Sequence, residues 1–299
     1  MKNLSKKDQA LHIGGVAFRE IYIWINALLM IFPLVFMIIS SGKTQQQLTQ
    51  DPFGFPTSWS VFASNYGDVI HGYKYIEVND ILMAYEFYTP YFTMIKNSAK
   101  LTLVALVFLI VCAAPIGYVL GSRKFPGQKL VMLFIIFIQT VPLFGYLIAF
   151  YYLMQTFGMI DNHFGISIIY AAVSMPSTII FFKGFYQGFL NEIEEAAKID
   201  GANEIQRYFS IIIPNSVSMI FALVLIQFMG YWNEFAITNM LITETELKTV
   251  SITLMSTSPD EYSYSMALLV LSAIPSFIFF TVFQKQIINS NLTMGAIKG

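Results

Sequence analysis

Six stretches of this chain run for about a membrane's thickness without one Asp, Glu, Lys or Arg: residues 21–42, 101–122, 130–160, 162–182, 208–233 and 262–284. About 20 apolar residues in a helix cross a ~30 Å hydrocarbon core, and each window is that long or longer. Inside lipid an unpaired backbone group costs several kcal/mol, so these windows must be helical. The predicted fold is all-α and integral to the membrane, with six transmembrane helices. Pro142, Pro176 and Pro275 fall inside the windows, and neighbouring helices must then satisfy the carbonyls they orphan. Composition agrees: 56% of residues are hydrophobic and 12% charged, with mean hydropathy +0.62, against about 25% charged in soluble domains. A disordered chain, a basic nucleic-acid binder and a water-soluble fold are excluded.

Lys and Arg set the orientation, because cytoplasmic loops carry their excess. With six spans, twelve fall on the side of both termini and five (Lys43, Lys74, Lys96, Lys100 and Lys248) on the other. N and C termini are therefore predicted to be cytoplasmic. The expected layout is a cytoplasmic N-terminus at 1–20 and a first span at 21–42. An extracytoplasmic loop follows at 43–98, then a core of five spans at 99–290 with a cytoplasmic loop at 188–214, and a tail at 291–299. The apolar run of the first span exceeds a signal-peptide core, and Ser40-Ser41-Gly42 is a poor cleavage site, so this span reads as uncleaved. The single Cys112 and the three histidines offer neither a disulfide framework nor a metal site.

The loop 188–214 carries the most specific signal. Asn191 can cap a helix, with Glu194 at the capping-box position. Glu192, Glu194 and Glu195 lie at the positive end of the dipole, and Gly201 suits the left-handed C′ position. Leu190, Ile193 and Ala197 form a narrow apolar stripe. An interfacial helix lying on the bilayer would want Lys or Arg and bulky anchors. An acidic, alanine-rich helix suits a groove in a basic protein partner instead.

Glu195-Ala196-Ala197, Asp200-Gly201-Ala202, Phe209, Ile211 and Pro214 resemble the EAA loop of binding-protein-dependent ABC-transporter permeases. Phe125-Pro126-Gly127-Gln128-Lys129, Trp232-Asn233-Glu234-Phe235, Glu246-Leu247-Lys248-Thr249 and Gly295-Ala296-Ile297-Lys298-Gly299 resemble the carbohydrate branch, in particular the second permease subunit of maltose transporters. Two departures are Ile213-Pro214 where the family often has Leu-Pro, and Ser218 where a second proline is common, which bears on the exit angle of the loop. The resemblance implies a permease subunit in a bacterial inner membrane, forming half of a sugar pathway. It would assemble with a homologous second permease, two ATPase subunits and an extracytoplasmic binding protein. ATP and Mg would be bound by the ATPases, and this chain would hold no cofactor and catalyse no reaction. It further implies that Glu194, Glu195, Ala196, Ala197, Asp200 and Gly201 form the coupling surface, with Glu195 facing a basic residue of the ATPase. The last outer loop, at 243–259, would reach towards the binding protein or simply be solvated.

Glu234, beside Trp232 and Asn233, reads as the only carboxylate within a predicted span, near the outer end of the fifth. An ionisable group at membrane depth suggests function: it lines the pathway or gate, bridges to a neighbouring helix, or sits at the water interface. Ser41-Gly42-Lys43-Thr44 imitates the end of a phosphate-binding loop, but the required upstream glycine position is Met37, so no nucleotide site is expected. Gly117 and Gly121 allow close helix approach. The rivals are an ABC permease for a non-sugar solute, an ion-coupled secondary transporter, which usually needs midplane ionisable groups, and a membrane enzyme, for which no catalytic signature is present.

Overall fold

The computed structural model describes the backbone of residues 6–78, 81–86, 88–189, 194, 197–257 and 261–296, and side chains within 15–73, 88–187, 194, 197–257 and 261–285. It divides into two compact units, residues 1–69 with 257–271 and residues 70–256 with 272–299.

In the first unit, α1 (Lys6–Ser40) is apolar nearly all round and almost wholly exposed along Gly15–Ser40. Ile21, Trp24, Leu28 and Met30 find no core within the chain, as a lipid-facing span requires. Its C-terminal end is tightly closed. Lys43 is buried, and its ammonium donates to the carbonyls of Pro52 at 2.6 Å and Asp51 at 3.2 Å. Asn65 donates to the carbonyls of Ser41 and Lys43, both at 2.9 Å. Thr44 and Gln47 form a capping box that opens α2 (Gln45–Gln50), and α3 (Trp59–His71) follows. The Ser41-Gly42-Lys43-Thr44 motif is thus a folded corner whose lysine is already engaged.

The second unit opens with an antiparallel hairpin, β1 (Tyr73–Val78) paired with β2 (Ile81–Glu86) in the register Tyr73↔Glu86 to Val78↔Ile81. This element lies within the stretch expected to be an irregular outer loop. The remaining elements are α4 (Tyr91–Ser122), α5 (Gln128–Thr140), α6 (Leu143–Thr156), α7 (His163–Phe189) and α8 (Glu204–Asn215). They continue with α9 (Val217–Trp232), α10 (Ala236–Leu241), α11 (Val250–Ser256) and α12 (Tyr262–Ala296). Among the described residues, four helices (α1, α4, α7 and α12) are long and apolar enough to cross a membrane. The pairs α5–α6 and α8–α9 each satisfy the same test across a break, bent by 98° and 67°.

The α4–α7 pair is the spine of this unit, and two glycines set its closeness. A Cβ on Gly117 would lie 2.3 Å from the Phe182 Cβ, and one on Gly121 3.0 Å from the Lys183 carbonyl oxygen. Backbone-to-backbone approach of this kind replaces the hydrophobic drive that helices lack in lipid. Around the contact, Leu101, Ala105, Leu109, Ala113, Ile166 and Phe182 are buried.

The breaks have local causes. Pro142 does not ride inside a helix: it caps α6, and α5 stops at Thr140. Pro214 lacks the N–H that would close a regular turn, and the preceding Tyr208–Ile212 segment relaxes into a π turn. Ser216 then sets the exit angle of the loop. Its N–H donates to Ile213 and its hydroxyl to the Ile212 carbonyl at 2.6 Å, satisfying an acceptor the bend would otherwise strand.

Gly117→Leu should force α4 and α7 apart and destabilise the protein by about 1–3 kcal/mol, the usual cost of overpacking. Gly184→Ala, with open space around the added carbon, should be neutral or slightly stabilising. Thermal unfolding in detergent distinguishes the two, and equal effects would remove the contact's assigned importance.

Candidate functional site

At the C-terminal end of α4, opposite charges gather around one carboxylate. Glu194 is only 4% exposed and Arg207 only 7%. The Glu194 carboxylate lies 2.9 Å from the Arg123 guanidinium, 3.6 Å from the Lys198 ammonium and 3.8 Å from the Arg207 guanidinium. Glu204 completes the group, 3.2 Å from Arg123 and 3.5 Å from Arg207. Arg123 follows directly on α4, Glu194 and Lys198 belong to the loop, and Glu204 and Arg207 stand in α8. One network therefore ties the loop to the end of α4 and to α8. A buried ion pair is not automatically stabilising, but removing one partner strands the other charge.

Residues 197–199 are helical and end in a Schellman motif: Ala202 N–H donates to Ala197 at 3.0 Å and Gly201 N–H to Lys198 at 3.1 Å. Gly201 has φ +79°, the left-handed conformation expected of it. Ala197 is buried, while Asp200 and Ile199 are exposed. Glu195, Ala196 and the cap expected at Asn191 lie outside the described residues. A capping box is present further on, with Asn203 and Gln206 opening α8, and Arg207 also donates to the Ala202 carbonyl at 2.8 Å. Of the expected coupling residues, Glu194 thus faces inward as an anchor. Its guanidinium partners Arg123 and Arg207 entered the sequence argument only as topology markers. A run of glutamates flanked by two arginines across neighbouring segments was the signal available.

Elsewhere in this unit, α10 and α11 bracket a loop that is held from several directions. The Glu234 carboxylate accepts from the Tyr170 hydroxyl at 2.6 Å, the Ile237 N–H at 2.8 Å and the Thr238 N–H at 3.3 Å. It therefore caps α10 and bridges to α7. Trp232 is buried and stacks on Phe228 at 5.4 Å, whereas Asn233 is exposed and donates back to Met229 at 2.8 Å. The three side chains have separate packing roles. Asp161, at φ +58°, accepts from the Thr243 N–H and hydroxyl, both at 2.6 Å, and from the Glu244 N–H at 3.0 Å. His163 Nε2 lies 2.9 Å from the Leu247 carbonyl, which can only accept. Asn97 donates to the carbonyls of Glu246 and Lys248, Thr89 to that of Thr245, and the Ser98 hydroxyl accepts from Val250 N–H. Burial raises the Asp161 carboxyl, but the hydrogen bonds from Thr243 and Glu244 outweigh it and hold its pKa below the ordinary value.

These elements match a known group. The binding-protein-dependent transport system inner membrane component family matches residues 113–291, more than half the chain. The chain belongs to that family: it is a multi-pass membrane transport subunit and not an enzyme. The diacetylchitobiose uptake system permease protein NgcG of Streptomyces coelicolor is 24% identical over 271 residues, covering 88% of this chain and 83% of NgcG. The maltodextrin transport system permease protein MdxG of Bacillus subtilis is 29% identical over 215 residues, covering 71% of this chain and 77% of MdxG. In the crystal structure of a bacterial ABC transporter involved in the import of the acidic polysaccharide alginate, one chain superposes with a TM-score of 0.72. It covers 95% of this chain and 99% of that chain at 22% identity, a likeness of fold.

Two measurements check the site. Glu194→Gln and Arg123→Gln, made singly and together, should show a coupling of about 0.5–3 kcal/mol in unfolding free energy; additivity would deny the pair. Asp161 has a lowered folded pKa, so its tether is present above the free carboxyl value near ~3.9 and fades only as pH falls through the lower folded value. At neutral pH, Asp161→Ala should therefore release the loop at 243–248, seen as faster limited proteolysis there, while Asp161→Asn, which tolerates the left-handed backbone, should release it less.

Proposed function

We propose that this permease is one half of the translocation pathway of an ABC importer for a sugar or oligosaccharide. It has six spans, with each bent pair counted as one and both termini cytoplasmic. It pairs with a homologous second permease, two ATPase subunits that bind ATP and Mg, and an extracytoplasmic binding protein. The sugar assignment draws on relatives named for diacetylchitobiose and maltodextrin transport. Trp232, Asn233 and Glu234 stand at the root of the outer loop and act on the outer gate by holding that loop in place.

The observation that carries the coupling role is the contrast within the loop at 188–214. Its charged root is locked onto α4 and α8, while Ile199 and Ile205 are 86% and 72% exposed. Apolar side chains left in water beside an internally braced segment suit a surface that a protein partner covers. Glu195, by its position in the motif, pairs with a basic residue of the ATPase. Closure of the ATPase pair pushes on the loop, and the ion-pair network passes that displacement to the spans as a rigid-body change.

The test is co-expression with the ATPase subunits, second permease and binding protein, followed by reconstitution in proteoliposomes. Glu195→Lys should lower uptake at least about tenfold while ATP hydrolysis persists and the complex still inserts; normal uptake would overturn the coupling assignment.

A further inference from the structure

The break between α5 and α6 stands where a membrane span can least tolerate one. At 1.5 Å per residue, Gln139 lies about 16 Å along α5 from Gln128, roughly halfway through a ~30 Å hydrocarbon core. Non-helical backbone at that depth is tolerated only where it is covered by protein or lines a water-filled cavity. As at Ser216, a hydroxyl covers one carbonyl here, and the Val141 N–H donates to Ile138 at 3.3 Å, but the last carbonyls of α5 remain to be satisfied. Thr140 turns its hydroxyl back to Phe137 at 2.7 Å, and no hydrogen bond among the described residues bridges from the first N–H groups of α6 to Gln139 or Thr140. Across from the break, Pro176 in α7 cannot donate to the carbonyl of Ala172.

These features meet at one cavity of about 400 Å³ lined by Gln139, Tyr146, Phe150, Ala172, Pro176 and Ser177, with aliphatic neighbours. The Gln139 side chain is exposed there. The Tyr146 and Phe150 rings meet edge-on, with centroids 5.1 Å apart. The lining residues offer the Gln139 amide, the Tyr146 hydroxyl, a Ser177 hydroxyl that donates to the Ser174 carbonyl at 2.9 Å, and two aromatic rings, and include no Asp, Glu, Lys or Arg. A lipid-facing surface would not carry exposed amides at mid-depth, and an ion or acidic cargo would call for charge. Neutral donors and acceptors beside aromatic rings suit a neutral polyhydroxylated cargo, whose hydroxyls the amide and carbonyls satisfy while the rings cover its apolar faces.

We propose that this crevice is the part of the translocation pathway contributed by this chain, and that it selects neutral over acidic saccharides. The proposal rests on the sugar-importer reading above and adds the place and the charge class of the cargo.

The test uses the assembled complex in proteoliposomes with its loaded binding protein. Maltotriose, diacetylchitobiose and an arabinotriose serve as neutral probes, and an alginate trisaccharide as the acidic one. In a Cys112→Ala background, Gln139→Cys should react with a membrane-impermeant thiol reagent, and turnover of whichever neutral probe stimulates hydrolysis most should slow that labelling about tenfold. Gln139→Leu should lower uptake of the same sugar about three- to tenfold, the worth of one net hydrogen bond, with the complex still co-purifying. Three results would each overturn the proposal: reaction only with membrane-soluble reagents, which puts position 139 in lipid; cross-linking to the second permease without labelling from water, which makes the crevice a subunit contact; or preferential protection by the alginate trisaccharide. If no saccharide stimulates wild-type hydrolysis, the sugar reading fails by itself, and water-accessible labelling at position 139 would still mark a wetted pathway.

Discussion

In lipid, a backbone N–H or carbonyl with no partner within the protein has nowhere else to turn. Every departure from straight helix in this chain can be judged by whether that debt is met. At Ser216 it is met by one hydroxyl on the Ile212 carbonyl. In the loop at 242–249 it is met by a set of side chains drawn from distant positions: Asp161, His163, Asn97 and Thr89. Between Thr140 and Leu143 it is met in part: the Thr140 hydroxyl covers the Phe137 carbonyl, while no N–H at the start of α6 reaches Gln139 or Thr140 among the described residues. The three breaks differ in degree, and the one between α5 and α6 leaves most to groups beyond its own two helices.

The charges obey a related rule. Ion pairs cluster at the root of the loop, where four side chains from three segments gather around Glu194, and the carboxylates Asp161 and Glu234 are spent on backbone N–H groups. Neither arrangement resembles a proton or sodium relay, which would need ionisable groups free to titrate near the midplane. What the network offers is stiffness. Arg123 joins the loop to the end of α4, α4 is pressed against α7 through Gly117 and Gly121, and Arg207 joins the loop to α8. A push on the loop is then shared among three spans and is not absorbed by a flexible linker.

Much of this was legible in the sequence, since the lipid constraint acts on composition. Charge-free windows located the long helices, Gly201 announced its left-handed turn, and Gly117 with Gly121 announced a close crossing. What escaped was tertiary. A six-residue run such as 73–78 carries too short a pattern to distinguish strand from loop, and it becomes a strand only because 81–86 pairs with it. Glu194 looked like one of three dipole-facing glutamates, and only the fold brings two arginines to it from positions 123 and 207. Glu234 looked exceptional because it was alone, yet the Tyr170 hydroxyl and the α10 amides explain it locally. Pro142 was read as a kink inside a helix, while Val141 and Pro142 together end one helix and begin another.

That last difference bears on how such a subunit works. A kinked span transmits motion along its length, whereas two helices meeting at 98° can pivot about the junction with little change to either. The junction sits beside Pro176, where α7 has itself lost a hydrogen bond, so both walls of the crevice are locally softened while their ends stay fixed by the Gly117–Phe182 contact and the Asp161 tether. A pathway that must open to one side and then the other needs rigid ends and a compliant middle. Here the compliance coincides with the uncharged donors, acceptors and rings that a passing sugar would meet, so the same missing hydrogen bonds that loosen the walls leave acceptors available to the cargo.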